Sequence, residues 1–203
     1  MSKFNVVIDY ILEYEGGYSN EENDPGGETK YGITRSLFER VRPHMSFDLA
    51  TMDDMVDIYK EVFWADEYES LDPAVALALV DTLVNHGKGK GIRMFQKAIG
   101  ALPDGVFGPK TLQAAKDCNV FDMLLRLSDL REDRMYRTHK DTGLLNGLMN
   151  RLFKLQIDCA CLYTGADGRT RNGQRPIING IDDTASDGPN RNDEDGYNEI
   201  GGF

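Results

Sequence analysis

The sequence predicts a mostly α-helical fold that carries a small β or loop element and ends in a tail of different composition. Apolar residues recur at helical spacing through most of residues 4–163, which is the period of an amphipathic helix. Residues 16–33 interrupt this pattern with glycines and acidic side chains, and residues 165–203 show no apolar period. The 203 residues are enough for one domain with a sizeable core, or for one domain with a small lobe.

The first helix is predicted over residues 4–14, where one apolar stripe lies opposite a polar face. The stripe consists of Phe4, Val7, Ile8, Ile11 and Leu12. A loop follows over residues 16–33 and includes the turn Asp-Pro-Gly-Gly at 24–27. Residues 30–34 are expected to form a short strand.

Seven further helices are predicted after this loop. Thr34 or Ser36 is expected to cap the second, which runs to about residue 41, and Thr51 opens the third. The other five are predicted at 73–85, 89–99, 109–116, 120–138 and 146–163. The helix at 73–85 starts with proline and is apolar nearly all round, which predicts a helix buried in the middle of the fold.

Residues 165–203 form the tail. They contain four Arg against six Asp and two Glu, and their apolar residues are scattered. So little apolar surface does not offset the entropy lost when a chain becomes ordered. The tail is therefore expected to be disordered unless a partner orders it.

The net charge of −11 restricts the classes of partner. Neutralising phosphates requires clustered Lys and Arg, so a nucleic-acid partner is not expected. Adhesion to anionic membranes is not expected either. The longest apolar run, residues 74–80, is far shorter than the roughly 20 residues of a membrane span.

The cysteines and the N-terminus favour synthesis in the cytoplasm. Cys159 and Cys161 are too close to bridge each other readily, and the third cysteine, Cys118, leaves an odd number. The first residues lead into an amphipathic segment, not into the apolar core of a secretory signal. A protein of this kind that acts outside the cytoplasm needs another route of export.

The stretch 13–34 places two glutamates where the first helix is expected to stop. A carboxylate near a helix C-terminus is disfavoured by roughly 0.3–1 kcal/mol, and an adjacent apolar wall raises its pKa further. A carboxylic acid still protonated near neutrality can donate to the leaving oxygen in glycoside hydrolysis. Glu15 is the better candidate acid, because it lies against a glycine pair, whereas Glu13 sits on the polar stripe.

Glycoside hydrolysis also needs a second carboxylate, which orients water or stabilises an oxocarbenium ion. Asp24 follows Glu15 by nine residues across a glycine-rich turn and is the best-placed candidate. Thr29 and Thr34 are candidates to hold a water molecule. These local patterns are weak by themselves, because a glutamate near a helix end is usually a solvated side chain.

Several other residues have both a functional and a structural interpretation. Tyr18 and Tyr31 flank the expected cleft, where they either contact glycan rings or pack the loop. Trp64 is either a sugar platform or part of the core. Asp81 and Asn85, four residues apart on the buried helix, form either a structural hydrogen-bonded pair or part of the cleft floor.

No metal site is expected, because the three histidines are widely separated and none lies near two cysteines at ligand spacing. The proposed hydrolysis needs no cofactor.

Three segments resemble the motifs of a known family. Residues 15–34 read EGGYSNEENDPGGETKYGIT, residues 58–64 read IYKEVFW, and residues 77–115 contain Gln96 and the turn Asp-Gly-Val-Phe-Gly-Pro at 104–109. In this order they resemble glycoside hydrolase family 108, bacterial and phage N-acetylmuramidases, with an adjoining peptidoglycan-binding segment. Residues 147–151, Gly-Leu-Met-Asn-Arg, depart from the family, which often has Trp where Leu148 stands. This departure affects the ligand contacts that the resemblance implies near Leu148.

The resemblance covers about residues 4–164 and implies a lysozyme-like helical fold. It implies a lysozyme-like catalytic region at 1–70, a helical peptidoglycan-binding-like region at 71–164 that completes the fold, and the tail at 165–203. The implied reaction is hydrolysis of the β-1,4 bond between N-acetylmuramic acid and N-acetylglucosamine, with Glu15 as the catalytic acid. A similarity to the triad of phage-type lysozymes implies Asp24 and Thr29 as its partners.

The expected partner is bacterial peptidoglycan, and the expected setting is a phage endolysin or a virion-associated lysin. The first alternative is a non-catalytic wall-binding or assembly protein that docks through its tail on a virion or an export apparatus. The second is an amidase or peptidase that acts on the stem peptide.

Overall fold

The computed structural model of the chain describes residues 2–14, 18–19, 27–139 and 143–166. In these ranges the chain forms eight α-helices, three short strands and two 3₁₀ turns. The helices are α1 (Lys3–Tyr14), α2 (Arg35–Val41), α3 (Met52–Phe63), α4 (Pro73–His86), α5 (Lys88–Ala98), α6 (Pro109–Asp117), α7 (Val120–His139) and α8 (Leu145–Thr164). The strands are β1 (Tyr18–Ser19), β2 (Thr29–Lys30) and β3 (Ile33–Thr34), and the 3₁₀ turns are Phe47–Leu49 and Asp66–Ser70. The prediction of a mostly α-helical fold with a small β-element is confirmed.

The helix termini follow the capping residues of the sequence. Thr34, rather than Ser36, caps α2, because its Oγ1 accepts a hydrogen bond from the backbone N–H of Leu37 at 3.2 Å. Thr51 caps α3 in a capping box, in which Asp54 reaches back to the backbone N–H of Thr51 at 2.8 Å. Asp72 caps α4 ahead of its first-turn proline.

Helix α4 lies at the centre of the fold, as its composition predicts. Every residue from 74 to 83 is buried, and the helix packs against α1, α3, α5, α7 and α8. Helix α5 approaches α4 closely at Gly91, where an added Cβ would come within 2.9 Å of the Leu83 side chain and 3.0 Å of its Cα. Glycine at this position therefore permits the tight packing of the two helices.

The β-element differs from the expected single strand at 30–34. The chain reverses at Tyr31 and Gly32, both with positive φ (48° and 78°), and forms a two-residue hairpin between β2 and β3. Positive φ at both central residues is the requirement of a type I′ turn. Strand β1 adds to the other side of β2, giving an antiparallel sheet in the order β1-β2-β3.

All the described residues belong to one compact unit, residues 1–168. The predicted regions 1–70 and 71–164 both lie in it, and the division between them stays a prediction. Helix α8 ends at Thr164 and is followed by the cap residue Gly165, whose φ is 69°. Of the predicted tail, residues 167–203 lie outside the described residues. No helix in the described ranges combines the length and the apolar character needed to cross a membrane.

Candidate active site

The predicted site residues divide into two groups. Glu15 and Asp24 lie outside the described residues, and Tyr18 is described only as part of the backbone of β1. In sequence, Glu15 directly follows the last residue of α1, and Asp24 stands in the connection between β1 and β2. The structure places the other five, which are Thr29, Tyr31, Thr34, Asp81 and Asn85.

Tyr14, the last residue of α1, is held against α8. Its hydroxyl donates a hydrogen bond to Asp158 Oδ2 at 2.6 Å. Lys154 Nζ lies 4.4 Å from the ring centroid of Tyr14, and the guanidinium carbon of Arg151 lies 5.6 Å from it. Cations at these distances are attracted to an aromatic face. The end of α1 that leads into Glu15 is thus anchored by three side chains of α8.

The charges around Tyr14 are paired. Lys154 Nζ lies 3.6 Å from Glu13 Oε1 and 3.5 Å from Asp158 Oδ2, and Arg151 Nη2 lies 2.9 Å from Asp81 Oδ1. Burial, followed by the hydrogen bond to Asp158, raises the pKa of Tyr14 well above its usual value. The Tyr14 hydroxyl is therefore neutral at every physiological pH, and its hydrogen bond to Asp158 holds the end of α1 against α8.

The hairpin that follows is fixed to the body by two donors. Tyr59 of α3 is buried and donates its hydroxyl to the carbonyl of Tyr31 at 2.8 Å. Lys30 Nζ donates to the carbonyls of Phe47 and Asp48 at 2.9 and 2.7 Å. The bond to its carbonyl helps hold Tyr31 in a left-handed conformation that is uncommon for a residue with a side chain.

Thr29 and Thr34 stand opposite each other in the hairpin, and Thr29 also pairs with Ser19 of β1. Thr29 is partly buried, next to the strand that follows Glu15. The hydroxyl of Thr34 is occupied at the helix cap and lies 3.2 Å from Ser36 Oγ. The roles of both residues toward water or substrate stay predictions.

Asp81 occupies a buried ion-pair centre joined by two arginines. Arg131 Nη2 of α7 forms an ion pair with Asp81 Oδ2 at 2.7 Å, although its N–H groups are not aligned for a hydrogen bond to that oxygen. Arg151 Nη2 of α8 donates a hydrogen bond to Asp81 Oδ1 at 2.9 Å. Neither Asp81 nor Arg131 has any exposed surface. Burial by itself raises the pKa of Asp81, but the two guanidiniums outweigh it and hold the pKa below its usual value. These contacts fit the structural interpretation of Asp81, and its predicted contact with substrate stays a prediction.

Asn85 does not pair with the Asp81 carboxylate. Its Nδ2 donates instead to the Asp81 backbone carbonyl at 2.8 Å, one turn earlier in α4. Asn85 also lines a pocket formed by α4, α7 and α8. Within the described residues, no group of three His, Cys, Asp or Glu side chains is placed to hold a metal ion.

Comparison with known proteins identifies the region that contains this geometry. Residues 8–87, from the middle of α1 to the end of α4, match the family model described as Glycosyl hydrolase 108. This segment is similar to the glycosyl hydrolase 108 family. The match includes the positions of Glu15 and Asp24, and the family supports a glycoside hydrolase acting on peptidoglycan.

Twelve solved chains match the fold of the protein. One of them, described as the structure of Brucella abortus SagA, superposes with a TM-score of 0.71 at 25% sequence identity. The match covers 79% of this chain and 95% of that chain. No curated protein matches the sequence.

The segment that follows the glycosyl hydrolase 108 region is organised around Gln96. Its buried amide Nε2 donates to Asp104 Oδ1, to the Val106 carbonyl and to Thr111 Oγ1 at 2.7, 3.0 and 3.0 Å. Its Oε1 accepts from the backbone N–H of Gly105 at 2.9 Å. The motif at 104–111 therefore builds the loop between α5 and α6, and a peptidoglycan-binding role for it stays a prediction.

Trp64 belongs to the core. It is 7% exposed and makes edge contacts with Phe4 and Tyr68, with ring centroids 5.4 and 5.6 Å apart. Tyr68 in turn meets Phe107 at 4.8 Å. The aromatic row joins α1 to the loop built by Gln96, so packing accounts for the only tryptophan of the chain.

Sequence reasoning did not single out Arg131, Arg151 or Asp158. Arg131 carries a signal that could have found it, because it stands four residues after Leu127 on the buried stripe of α7. A charged residue in an apolar stripe needs a buried partner of opposite charge. Arg151 and Asp158 stand on a helix without such a break in pattern, and only the packing of α8 against α1 and α4 reveals them.

Proposed function

We propose that this protein is an N-acetylmuramidase, which hydrolyses the β-1,4 bond between N-acetylmuramic acid and N-acetylglucosamine in peptidoglycan. Glu15 protonates the glycosidic oxygen, Asp24 stabilises the developing positive charge or orients water, and Thr29 assists. The observation that carries the proposal is the glycosyl hydrolase 108 match over residues 8–87, which spans all three residues.

The strand pairing supports the proposed grouping. Strand β1 starts three residues after Glu15, and its Ser19 pairs with Thr29 of β2. Neighbouring strands lie about 4.8 Å apart. The chain that leaves Glu15 is therefore adjacent to Thr29, and Asp24 stands in the connection between these two strands.

The electrostatics of α1 support an acid with a raised pKa. The last turn of α1 has no basic residue, so no side chain of that turn offsets the partial negative charge of the helix end. A carboxylic acid following this turn is favoured in its neutral form, as a general acid requires.

The glycan contacts of the proposal involve the two tyrosines of the sheet. Tyr18 and Tyr31 contact sugar rings, and Thr34 contributes at the rim. The support for Tyr31 is its partly buried position at the hairpin turn, next to the strands that follow Glu15 and precede α2.

The test compares Glu15→Gln with the matched control Glu13→Gln on purified peptidoglycan. Both changes remove one carboxylate at or next to the end of α1, and Glu13 lies 3.6 Å from Lys154 Nζ. Release of reducing sugars is expected to fall by a factor of about 10² or more in Glu15→Gln and to stay within about twofold of wild type in Glu13→Gln. Equal activity of wild type and Glu15→Gln contradicts the role of Glu15, and a loss confined to Glu13→Gln moves the acid to Glu13.

The same digests decide between reaction classes. Reducing ends without new amino groups support the muramidase, whereas new amino groups without reducing ends indicate an amidase or peptidase. Binding to the wall without either product indicates the non-catalytic alternative.

The biological setting is part of the proposal. We place the protein with phage or prophage endolysins or virion-associated lysins, made in the cytoplasm and acting on the wall after release. Cells that express it in the cytoplasm are expected to lyse when chloroform permeabilises the inner membrane and to stay intact before. Lysis without permeabilisation contradicts the need for a separate release step.

A further inference from the structure

A pocket outside the predicted catalytic residues lies among the ends of α4, α7 and α8. It has a volume of about 200 Å³, far above the roughly 10–15 Å³ that a single water molecule needs. Its lining consists of Asn85, His86, Arg134, Met135, Thr138, His139 and Leu148. Every ionisable side chain in this lining is basic.

His86 supplies a buried polar atom with no partner. Its Nε2 has no hydrogen bond within the described part of the chain. Burial first, and then the positive charges of Arg131 and Arg134, lower the pKa of His86 to about 3, although Asp81 opposes this effect. The imidazole is therefore neutral near pH 7, and its ring can present an N–H to an acceptor.

Arg134 supplies the charge. It is partly buried, and in the described ranges no carboxylate forms an ion pair with its guanidinium. The neighbouring arginines are occupied, since Arg131 pairs with Asp81 and Arg137 pairs with Asp133 at 2.9 Å. The ends of α4 and α7 carry partial negative charges of roughly half an elementary charge each. These charges partly offset the positive charge of the pocket, but they are not a counter-ion for Arg134.

We infer that this pocket binds a carboxylate of a peptidoglycan stem peptide, with Arg134 as the ion-pair partner, His86 as a hydrogen-bond donor, and Met135 and Leu148 against the adjoining carbon atoms. One guanidinium and one neutral imidazole match a monoanion better than a phosphate dianion, which favours the carboxylate. The choice of a stem peptide rests on the proposed function, whereas the preference for an anion rests on the pocket itself.

Leu148 is part of the lining of the pocket. It reaches the site from the first turn of α8. A larger side chain there would occupy part of the volume. The smaller leucine therefore leaves room for a ligand group between α4 and α7.

The experiment follows imidazole signals of the ¹⁵N-labelled full-length protein during titration with a free stem tetrapeptide. The chain has three histidines, and the exposed His44, which is not part of the lining, is an internal reference. The His86 signals are expected to shift with the free-acid peptide and to stay unchanged with the fully amidated peptide. Three results would each overturn the inference. They are equal His86 shifts with both peptides, a His44 shift equal to that of His86, or no His86 shift at millimolar peptide in 20-fold excess over the protein.

Two variants and one control locate the site. Arg134→Gln and Leu148→Trp are expected to weaken peptide binding by roughly tenfold or more, since one removes a charge-assisted bond and the other fills the pocket. Arg126→Gln removes an exposed arginine of the same helix and is expected to bind like wild type. Unchanged binding in Arg134→Gln, with its melting temperature preserved, would overturn the assignment.

Inorganic phosphate is the probe for the other source of anions. Saturation of the His86 shift by phosphate at concentrations where the peptide has no effect would replace the carboxylate with a phosphate group and overturn the inference as stated. Peptide binding is read without hydrolysis, so an inactive protein that binds the free-acid peptide contradicts the proposed function alone. An active protein that ignores the peptide contradicts this inference alone.

Discussion

The molecule contains two buried polar centres. They differ in charge and in how far apart in sequence the segments lie that each of them joins. The charged centre consists of Asp81 with Arg131 and Arg151, and it joins three helices. The neutral-amide centre consists of Gln96 with the loop at 104–111, and it joins neighbouring segments of the chain. The charged centre specifies how distant helices pack, whereas the amide centre specifies the shape of one loop.

The energetic consequences of the two centres differ as well. Removing one member of a buried ion pair leaves an uncompensated charge and costs about 3–5 kcal/mol. Removing a buried amide leaves unpaired donors and acceptors, which cost about 1–3 kcal/mol. The fold should therefore be more sensitive at Asp81 than at Gln96.

The largest effect is expected for Asp81→Asn. The change keeps the volume but leaves the fully buried Arg131 without a carboxylate, so the free energy of unfolding should fall by about 3–5 kcal/mol. Urea unfolding followed by the fluorescence of Trp64, the only tryptophan, measures it. Asp133→Asn, which breaks the exposed pair with Arg137, is the control and should change stability by less than about 1 kcal/mol. If Asp81→Asn lowers the free energy of unfolding by less than about 1 kcal/mol, the charged centre does not contribute to stability as proposed.

A second prediction concerns the coupling between Asp81 and Arg131. Asp81→Leu combined with Arg131→Met removes both buried charges and keeps apolar volume, so the double variant should be more stable than Asp81→Leu by about 2 kcal/mol or more. A double-mutant cycle in urea measures the coupling. Additive losses in the two single variants would mean that the ion pair at 2.7 Å has no net interaction energy.

A smaller loss is expected for Gln96→Leu. The buried leucine cannot accept from the Gly105 N–H or donate to Asp104 and Thr111, and the free energy of unfolding should fall by about 1–3 kcal/mol. Gln113→Leu, at an exposed glutamine of α6 whose Nε2 donates to Asp117 at 2.9 Å, is the matched control and should change stability by about 0.5 kcal/mol or less. A loss equal to that of Asp81→Asn would remove the distinction between the two centres.

The smallest effect is a pH dependence at His86, whose pKa is lowered first by burial and then by the positive charges of Arg131 and Arg134. The folded-state pKa of about 3 lies below the unfolded value of about 6.5. The unfolded chain therefore binds the proton first as pH falls, and folding stability decreases from about pH 6.5 downward. Between pH 6.5 and 5.5 the loss attributable to His86 should be about 1 kcal/mol.

His86→Gln should remove this part of the pH dependence, whereas His44→Gln, at an exposed site, should keep it. Denaturant midpoints at the two pH values measure the difference. A wild-type profile that is flat from pH 6.5 to 5.5 would contradict the neutral, buried state of His86.

Much of the fold could be predicted because its signals are local. The apolar stripe of α1, the all-round apolar α4 and the caps Thr34 and Thr51 each depend on residues within one or two turns of each other. The hairpin at Tyr31 and Gly32 was expected as a single strand, since a tyrosine with positive φ has no clear sequence signature and its carbonyl is held by a residue 28 positions away, Tyr59.

The candidate site shows the same limit. The motif containing Glu15, Asp24 and Thr29 is contiguous in sequence, so a resemblance to a family could identify it, and the family match over residues 8–87 confirms the resemblance. Asp81 was identified as a buried polar residue, but its partners were not. Periodicity shows which face a residue occupies and does not show which helix will cover that face.

The sequence by itself determined the order and ends of the helices, the central position of α4 and the residues of the proposed catalytic motif, because these depend on chemistry within a few residues of chain. Only the tertiary structure decided that Tyr14 bonds Asp158, 144 positions later, and that Asp81 meets Arg151, 70 positions later. Such pairs form when packed helices bring charges out of water together, and their energies depend on burial that no single segment contains.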